Sequence, residues 1–160
     1  MHWVTLGTAM AVTGLAKRTV WRRVAGHPEW KRNVDEPLRR AQVALEALRE
    51  DLLVAVETDD DLAMIARADS GDTDAMTDLA LMLREAGEDA AALPWLQQAA
   101  DAGHPDAMHW VGRALVAGDG MPADQARGLD WLRRSADAGH AISRQQVEAL
   151  GSTRVHGGER

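Results

Sequence analysis

The sequence predicts an all-α protein, a short solenoid of α-hairpins preceded by a small N-terminal pair of helices, and three observations point there. The first is composition: Phe, Tyr and Cys are absent, and the aromatic residues are six tryptophans in a chain of 160 residues. Ala, Leu, Arg, Asp and Glu dominate instead, and such a chain is rich in helix formers and poor in the residues strands favour. The second is self-similarity. Ala100-Asp-Ala-Gly103-His104 returns as Ala136-Asp-Ala-Gly139-His140, and Trp95-Leu96 as Trp131-Leu132, both displaced by 36 residues. Two independent landmarks with one period mark a structural repeat. The third is the pattern inside the period, where Ala75, Leu79 and Leu83, and again Ala107, Val111 and Leu115, lie at i, i+4 and i+8. Each triplet makes one narrow packing stripe on a helix.

Charge divides the chain as sharply as pattern does. Residues 1–45 hold eight Lys/Arg against three Asp/Glu, whereas residues 46–160 hold ten against twenty-two, within an overall net charge of −7. A basic head on an acidic body suggests one part that faces an anion and another that faces proteins.

In the head, residues 1–35, a short helix through Val12 meets the turn Thr13-Gly14-Leu15. A second helix then runs from Ala16 to Ala25, with Ala16, Val20 and Val24 on one face and Lys17, Arg18, Arg22 and Arg23 outward. This order resembles helix-turn-helix segments of the excisionase and MerR-like type. Ala9 and Ala11 are small, Gly14 sits in the turn, and Lys17-Arg18-Thr19-Val20 opens the second helix; Met10 departs from the small residue usual at its slot. The resemblance implies DNA binding. Arg18 and Arg22, one turn apart, would reach guanine edges in a major groove beside Thr19, while Lys17, Arg23, Lys31 and Arg32 neutralise phosphates. The stretch His27 to Asn33 would act as a short wing.

Residues 36–68 are expected to link and cap the array with helices at Pro37–Val56 and Asp61–Ala68, broken by the acidic run Glu57 to Asp61. Repeats follow over residues 69–150. First helices carry the two stripes, and second helices run about from Asp89 to Ala100 and from Asp124 to Ala136. Gly103 and Gly139 stand where a helix end wants a left-handed residue. The first unit is shorter because Gly87 to Trp95 is compact where Gly118 to Asp124 is extended, and loops absorb length changes that packed faces cannot. Gly112, inside a helix, costs about 1 kcal/mol relative to Ala and is expected to return that in close packing. A last helix spans Ile142 to Leu150. The tail 151–160, which contains His156, is polar and Gly-rich and is expected to be disordered.

The pattern resembles the Sel1-like repeat family, kin of tetratricopeptide repeats. It is carried by Ala100, Gly103, His104 and Ala107, then Val111-Gly112, Gly118-Asp-Gly120, Asp124, Gly128, Trp131-Leu132 and Ser135-Ala136. The resemblance implies an all-α hairpin solenoid that holds other proteins together without catalysis. First helices line the concave face of such arrays, so Asp78 and Met82 in one unit, and His109, Trp110 and Arg113 in the next, are candidates to meet a protein partner. Trp and Arg recur as interface anchors; Trp110 is equally readable as a filler between units.

Several chemistries have no residues to carry them. Without cysteine there is no disulfide, thiolate nucleophile or Cys-ligated zinc. No two of the six histidines are spaced i, i+4, so no metal site and no cofactor are expected. There is no phosphate loop and no nucleophile elbow, and an enzyme is not expected. No stretch nears the roughly 18 apolar residues of a membrane span, and the N-terminus lacks the order of a signal peptide, so the expectation is a cytoplasmic protein off the membrane. The expected function is a protein-interaction adaptor, tethered to DNA through its basic head. Two alternatives stay open: a DNA-binding transcriptional regulator whose repeats form a homodimer or bind a signalling partner, and an assembly scaffold that does not touch DNA.

Overall fold

Thr5 and Gly14 bracket the first helix of the protein. In the computed structural model, which describes residues 1–33 and 41–155 and side chains as far as residue 150, a strand β1 (Trp3–Thr5) leads directly into α1 (Leu6–Thr13). The Thr5 hydroxyl accepts from the Thr8 N–H, and the Gly14 N–H closes the other end on the Met10 carbonyl. The chain then forms α2 (Lys17–Val24) and continues through α3 (Asp59–Asp69), α4 (Thr73–Glu85), α5 (Asp89–Asp101), α6 (Pro105–Ala117), α7 (Gln125–Asp137) and α8 (Ala141–Val155). The fold is all-α. It comprises two compact units, Met1–Ala92 and Leu93–Arg160.

The first unit holds a small sheet that composition did not announce. Strands β2 (Lys31–Asn33) and β3 (Ala41–Ala44) join β1 in the order β1-β3-β2, both pairings antiparallel, with Val43 facing Val4 on one side and Lys31 on the other. Its central strand corrects the helix expected over Pro37–Val56. Residues 34–40 lie outside the described residues. After them comes β3, and then a 3-10 helix at Leu45–Asp51. Ala41 to Leu48 reads as helix because Ala, Leu and Glu favour one, but β3 finds backbone partners on both edges, and pairing of that kind overrides a propensity of tenths of a kcal/mol per residue. The 3-10 helix has its own logic, since Leu45 and Leu48 are three apart and both fully buried, which suits a three-residue turn better than a 3.6-residue one.

Val4, Ala9, Val12, Val20, Val24 and Val43 are all fully buried and form the core of the head. Ala16, expected on the buried face of α2, is instead the exposed residue before its first turn. The break before α3 is a capping box. Asp61 accepts the Thr58 N–H at 2.8 Å while the Thr58 hydroxyl accepts the Asp61 N–H at 3.3 Å, so two otherwise orphaned donors are satisfied reciprocally. At the far end of α3, Asp69 accepts from the Thr5 N–H at 2.9 Å and from the hydroxyls of Thr5 and Thr8. That ties the end of α3 to the start of α1. Packing of α3 on α4 buries Leu62, Ile65 and Ala68 with Ala75, Leu79, Ala80 and Leu83.

In the second unit α6 and α7 cross where each has a glycine. A Cβ placed on Gly112 would stand 2.9 Å from the Gly128 carbonyl oxygen, and one on Gly128 would stand 2.8 Å from the Gly112 carbonyl oxygen. Neither backbone can retreat, so both positions must lack a side chain. Gly103 and Gly139 end the preceding helices at φ +95° and +102°, a region that side-chain-bearing residues avoid. Helix α8 runs beyond the expected Leu150 to Val155 and so takes in half of the segment expected to be disordered. His156 and residues 157–160 lie outside the described residues.

Candidate functional site

The sequence-derived candidates fall in both units: the basic residues and the partner candidates on α4 in the first, the partner candidates on α6 in the second. In the first unit α2 owes its orientation to Val20 and Val24, which are fully buried one helical turn apart. Lys17, Arg18, Arg22 and Arg23 are thereby exposed and Thr19 is half-buried. Lys31 and Arg32 are exposed on β2, the edge strand of the sheet, and a 3-10 turn at Pro28–Trp30 leads into that strand with His27 stacked on Trp30 at 3.7 Å.

These cations are not equivalent. Arg23 binds Asp51 at 2.7 Å, so it works as a strut between α2 and the 3-10 helix rather than as a free phosphate ligand, and the expectation for it changes accordingly. Arg32 donates to Gln42 at 2.8 Å and lies 4.5 Å over the Trp3 ring, which holds its guanidinium at the sheet edge. Lys17, Arg18, Arg22 and Lys31 form no ion pair among the described residues.

Of the partner candidates on α4, Asp78 is exposed and Met82 half-buried. On α6, Arg113 is exposed with its guanidinium 5.3 Å over the half-buried Trp110 ring. His109 departs from its expected place on a partner surface, because it is only 3% exposed. Its Nδ1 lies 2.8 Å from the Ser143 hydroxyl, and its ring stacks on His140 at 4.3 Å.

This polar cluster joins α6, α7 and α8. Ser135 donates to the Pro105 carbonyl at 2.8 Å, and its oxygen lies 2.9 Å from that of Ser143. His140 Nδ1 accepts the Ser143 N–H at 3.1 Å. With the Ser135 proton directed at Pro105, the single Ser143 proton is needed for Ser135 or His140, so His109 is assigned as the neutral Nδ1–H tautomer that donates to Ser143. Burial, with the neighbouring His140 and Arg113 adding to it, holds the His109 pKa down to about 4. The i, i+3 and i+4 rules of a single helix could not reveal this pairing, since His109 and Ser143 are 34 residues apart.

The sequence also concealed a group in the first unit. His2 Nδ1, a Glu46 oxygen and an Asp59 oxygen lie within 4.8 Å of one another, a spacing open to a metal ion. Glu46 accepts from the His2 backbone N–H at 2.8 Å and faces His2 Nδ1 at 3.0 Å, so hydrogen bonding within the group already accounts for its closeness. Among the described residues no helix is long and apolar enough to cross a membrane.

Comparison with known proteins falls on the repeats. The family described as Sel1 repeat matches residues 73–104 and 105–140, which are α4 with α5 and α6 with α7. The crystal structure of a Sel1 repeat protein from Oxalobacter formigenes is similar at 31% identity and a TM-score of 0.52, over 56% of this chain and 71% of that one. No curated protein sequence matches. Two successive hairpins that fit the repeat, with glycine-ended helices and a glycine crossing in the second hairpin, and a solved relative matched over most of its length, establish that this chain belongs to the Sel1 repeat family.

Proposed function

We propose that this protein is an interaction adaptor in which Sel1 repeats, residues 69–150, hold a protein partner while the head, residues 1–35, tethers it to duplex DNA, with residues 36–68 connecting the two. Sel1 repeats mediate protein–protein interaction and are a non-catalytic fold. The observation that carries the DNA half is a set of four cations on α2 and β2, Lys17, Arg18, Arg22 and Lys31, that make neither an ion pair nor a side-chain hydrogen bond among the described residues. Each stands exposed on an element whose backbone is locked by buried valines or strand pairing. Held cations lose less freedom on binding phosphate than mobile ones do, and α2 has the dimensions of an element that enters a major groove. Trp110 and Arg113 on α6, with Asp78 and Met82 on α4, remain the proposed partner contacts. This function includes a cytoplasmic setting, which the lack of cysteine favours.

Fluorescence anisotropy of labelled random-sequence duplex DNA against the full chain, at low and moderate salt, tests the tether. Tight binding that weakens with salt and is lost in Arg18→Glu/Arg22→Glu supports it. No binding at low salt overturns it in favour of a scaffold that works without DNA. Binding that arises only with a dimeric form, read by light scattering, favours a regulator whose repeats pair two heads.

A further inference from the structure

We infer that the second unit carries a docking groove for an amphipathic helical peptide with an acidic residue on its flank; this deepens, and rests on, the assignment of the repeats as the partner-holding half. The groove lies among α6, α7 and α8 and has a volume of about 520 Å³. Its wall is aliphatic: Val116 and Ala117 from α6, Leu129 and Leu132 from α7, Ala149 and Leu150 from α8. Val116 is 40% exposed and Leu150 50%, and both stand on this groove, so water meets apolar surface where the helices converge. Converging exposed apolar side chains of this kind mark interaction sites more often than scattered ones do.

Two polar features on the same wall select the occupant. Arg113 is its one charged group among the described residues. That guanidinium is exposed and steadied over the Trp110 ring, and no carboxylate pairs with it among the described residues. A partner carboxylate is the group that complements it. Gln146 also lines the groove, and its side-chain oxygen is shielded from solvent with no hydrogen-bond partner among the described residues. A buried acceptor in that state calls for a donor, which a peptide N–H supplies. An apolar stripe, a carboxylate beside it and a free N–H near its start together describe the first turns of an amphipathic helix, whose leading N–H groups have no partner of their own.

Peptide display on the full chain tests this, with selection for binding to the native protein and counter-selection on Arg113→Glu/Leu150→Glu. Both positions are exposed, and circular dichroism with a thermal melt establishes that the variant keeps its fold. Enriched peptides are expected to carry apolar residues at i and i+3 or i+4 with an adjacent Asp or Glu, and to bind Arg113→Glu about tenfold more weakly, the worth of one well-placed charge pair. Enriched peptides without an acidic residue, or with equal affinity for the double variant, overturn the inference. If their binding is instead abolished by Asp78→Lys/Met82→Glu, the groove falls while the adaptor assignment stands; if no peptide is enriched at all, both fall. Displacement of the enriched peptides by dodecanoate at lower concentration than by unlabelled peptide would overturn the peptide in favour of a lipid.

Discussion

Single residues hold the repeat hairpin together at its narrowest point. Ala at position 112 gains about 1 kcal/mol of helix propensity, yet its Cβ meets the Gly128 carbonyl at 2.9 Å. Overpacking against backbone costs about 1–3 kcal/mol, so Gly112→Ala is expected to lower stability in urea titration. Gly26→Ala has nothing within 4 Å of the new Cβ and is the neutral control. Tryptophans separate in the same way. Trp131 is 8% exposed with Arg134 stacked 4.0 Å from its ring, and Trp131→Ala is expected to cost about 3–5 kcal/mol. Trp110→Ala is expected to cost clearly less, since Trp110 is half-buried; equal losses would remove Trp110 from the partner surface. His109 makes stability depend on pH. Its pKa falls from 6.5 to about 4 on folding, so the unfolded chain binds the extra proton between these values. The stabilisation is therefore complete above pH 6.5 and declines as pH falls towards 4, by an amount of order 3 kcal/mol. His109→Asn, whose amide can still donate to Ser143, is expected to flatten that slope in chemical denaturation between pH 7 and 4. An unchanged slope would move the titration to another group.

Elements are joined by one turn used three times. Gly71, Gly103 and Gly139 each precede a residue that caps the next helix: Asp72 accepts from the Ala75 N–H at 3.1 Å, His104 from Ala107 at 3.3 Å and His140 from Ser143 at 3.1 Å. His104 and His140 are thus helix caps, which explains why they recur with the period. Removal of an N-cap acceptor costs about 0.5–2 kcal/mol, so Asp72→Ala is expected to lower the melting temperature and Asp72→Asn to leave it nearly unchanged. Most of these elements are legible in the sequence because their signals are local: a stripe at i and i+4, a glycine at the end, a capping box at Thr58. The strand β3 and the 3-10 helix after it are not. Their residues carry a helical composition, and only the edges offered by β1 and β2, drawn from residues up to 41 positions away in sequence, make an extended backbone the better-bonded state.

At the scale of the whole molecule, charge is divided as the elements are, with exposed cations on α2 and β2 and acidic residues along the repeats. If Lys17, Arg18, Arg22 and Lys31 each displace a counterion, log K for duplex DNA is expected to fall against log salt with a slope of about −3 to −4. Arg23→Gln is expected to leave that slope unchanged and to lower stability slightly, because Arg23 is engaged with Asp51. A slope reduced by one unit in Arg23→Gln would return this residue to the DNA surface. The sequence by itself determined the all-α class, the repeat period and the boundaries of its hairpins, and which residues on α2 face outward. Periodicity, capping and turn chemistry act within a few residues, so they can be read along a chain. Tertiary structure alone decided the three-stranded sheet, the capture of Arg23, the burial of His109 and the groove beside Arg113. Each depends on groups brought together from distant positions, and what a side chain meets across such a distance is settled by packing rather than by its neighbours in sequence.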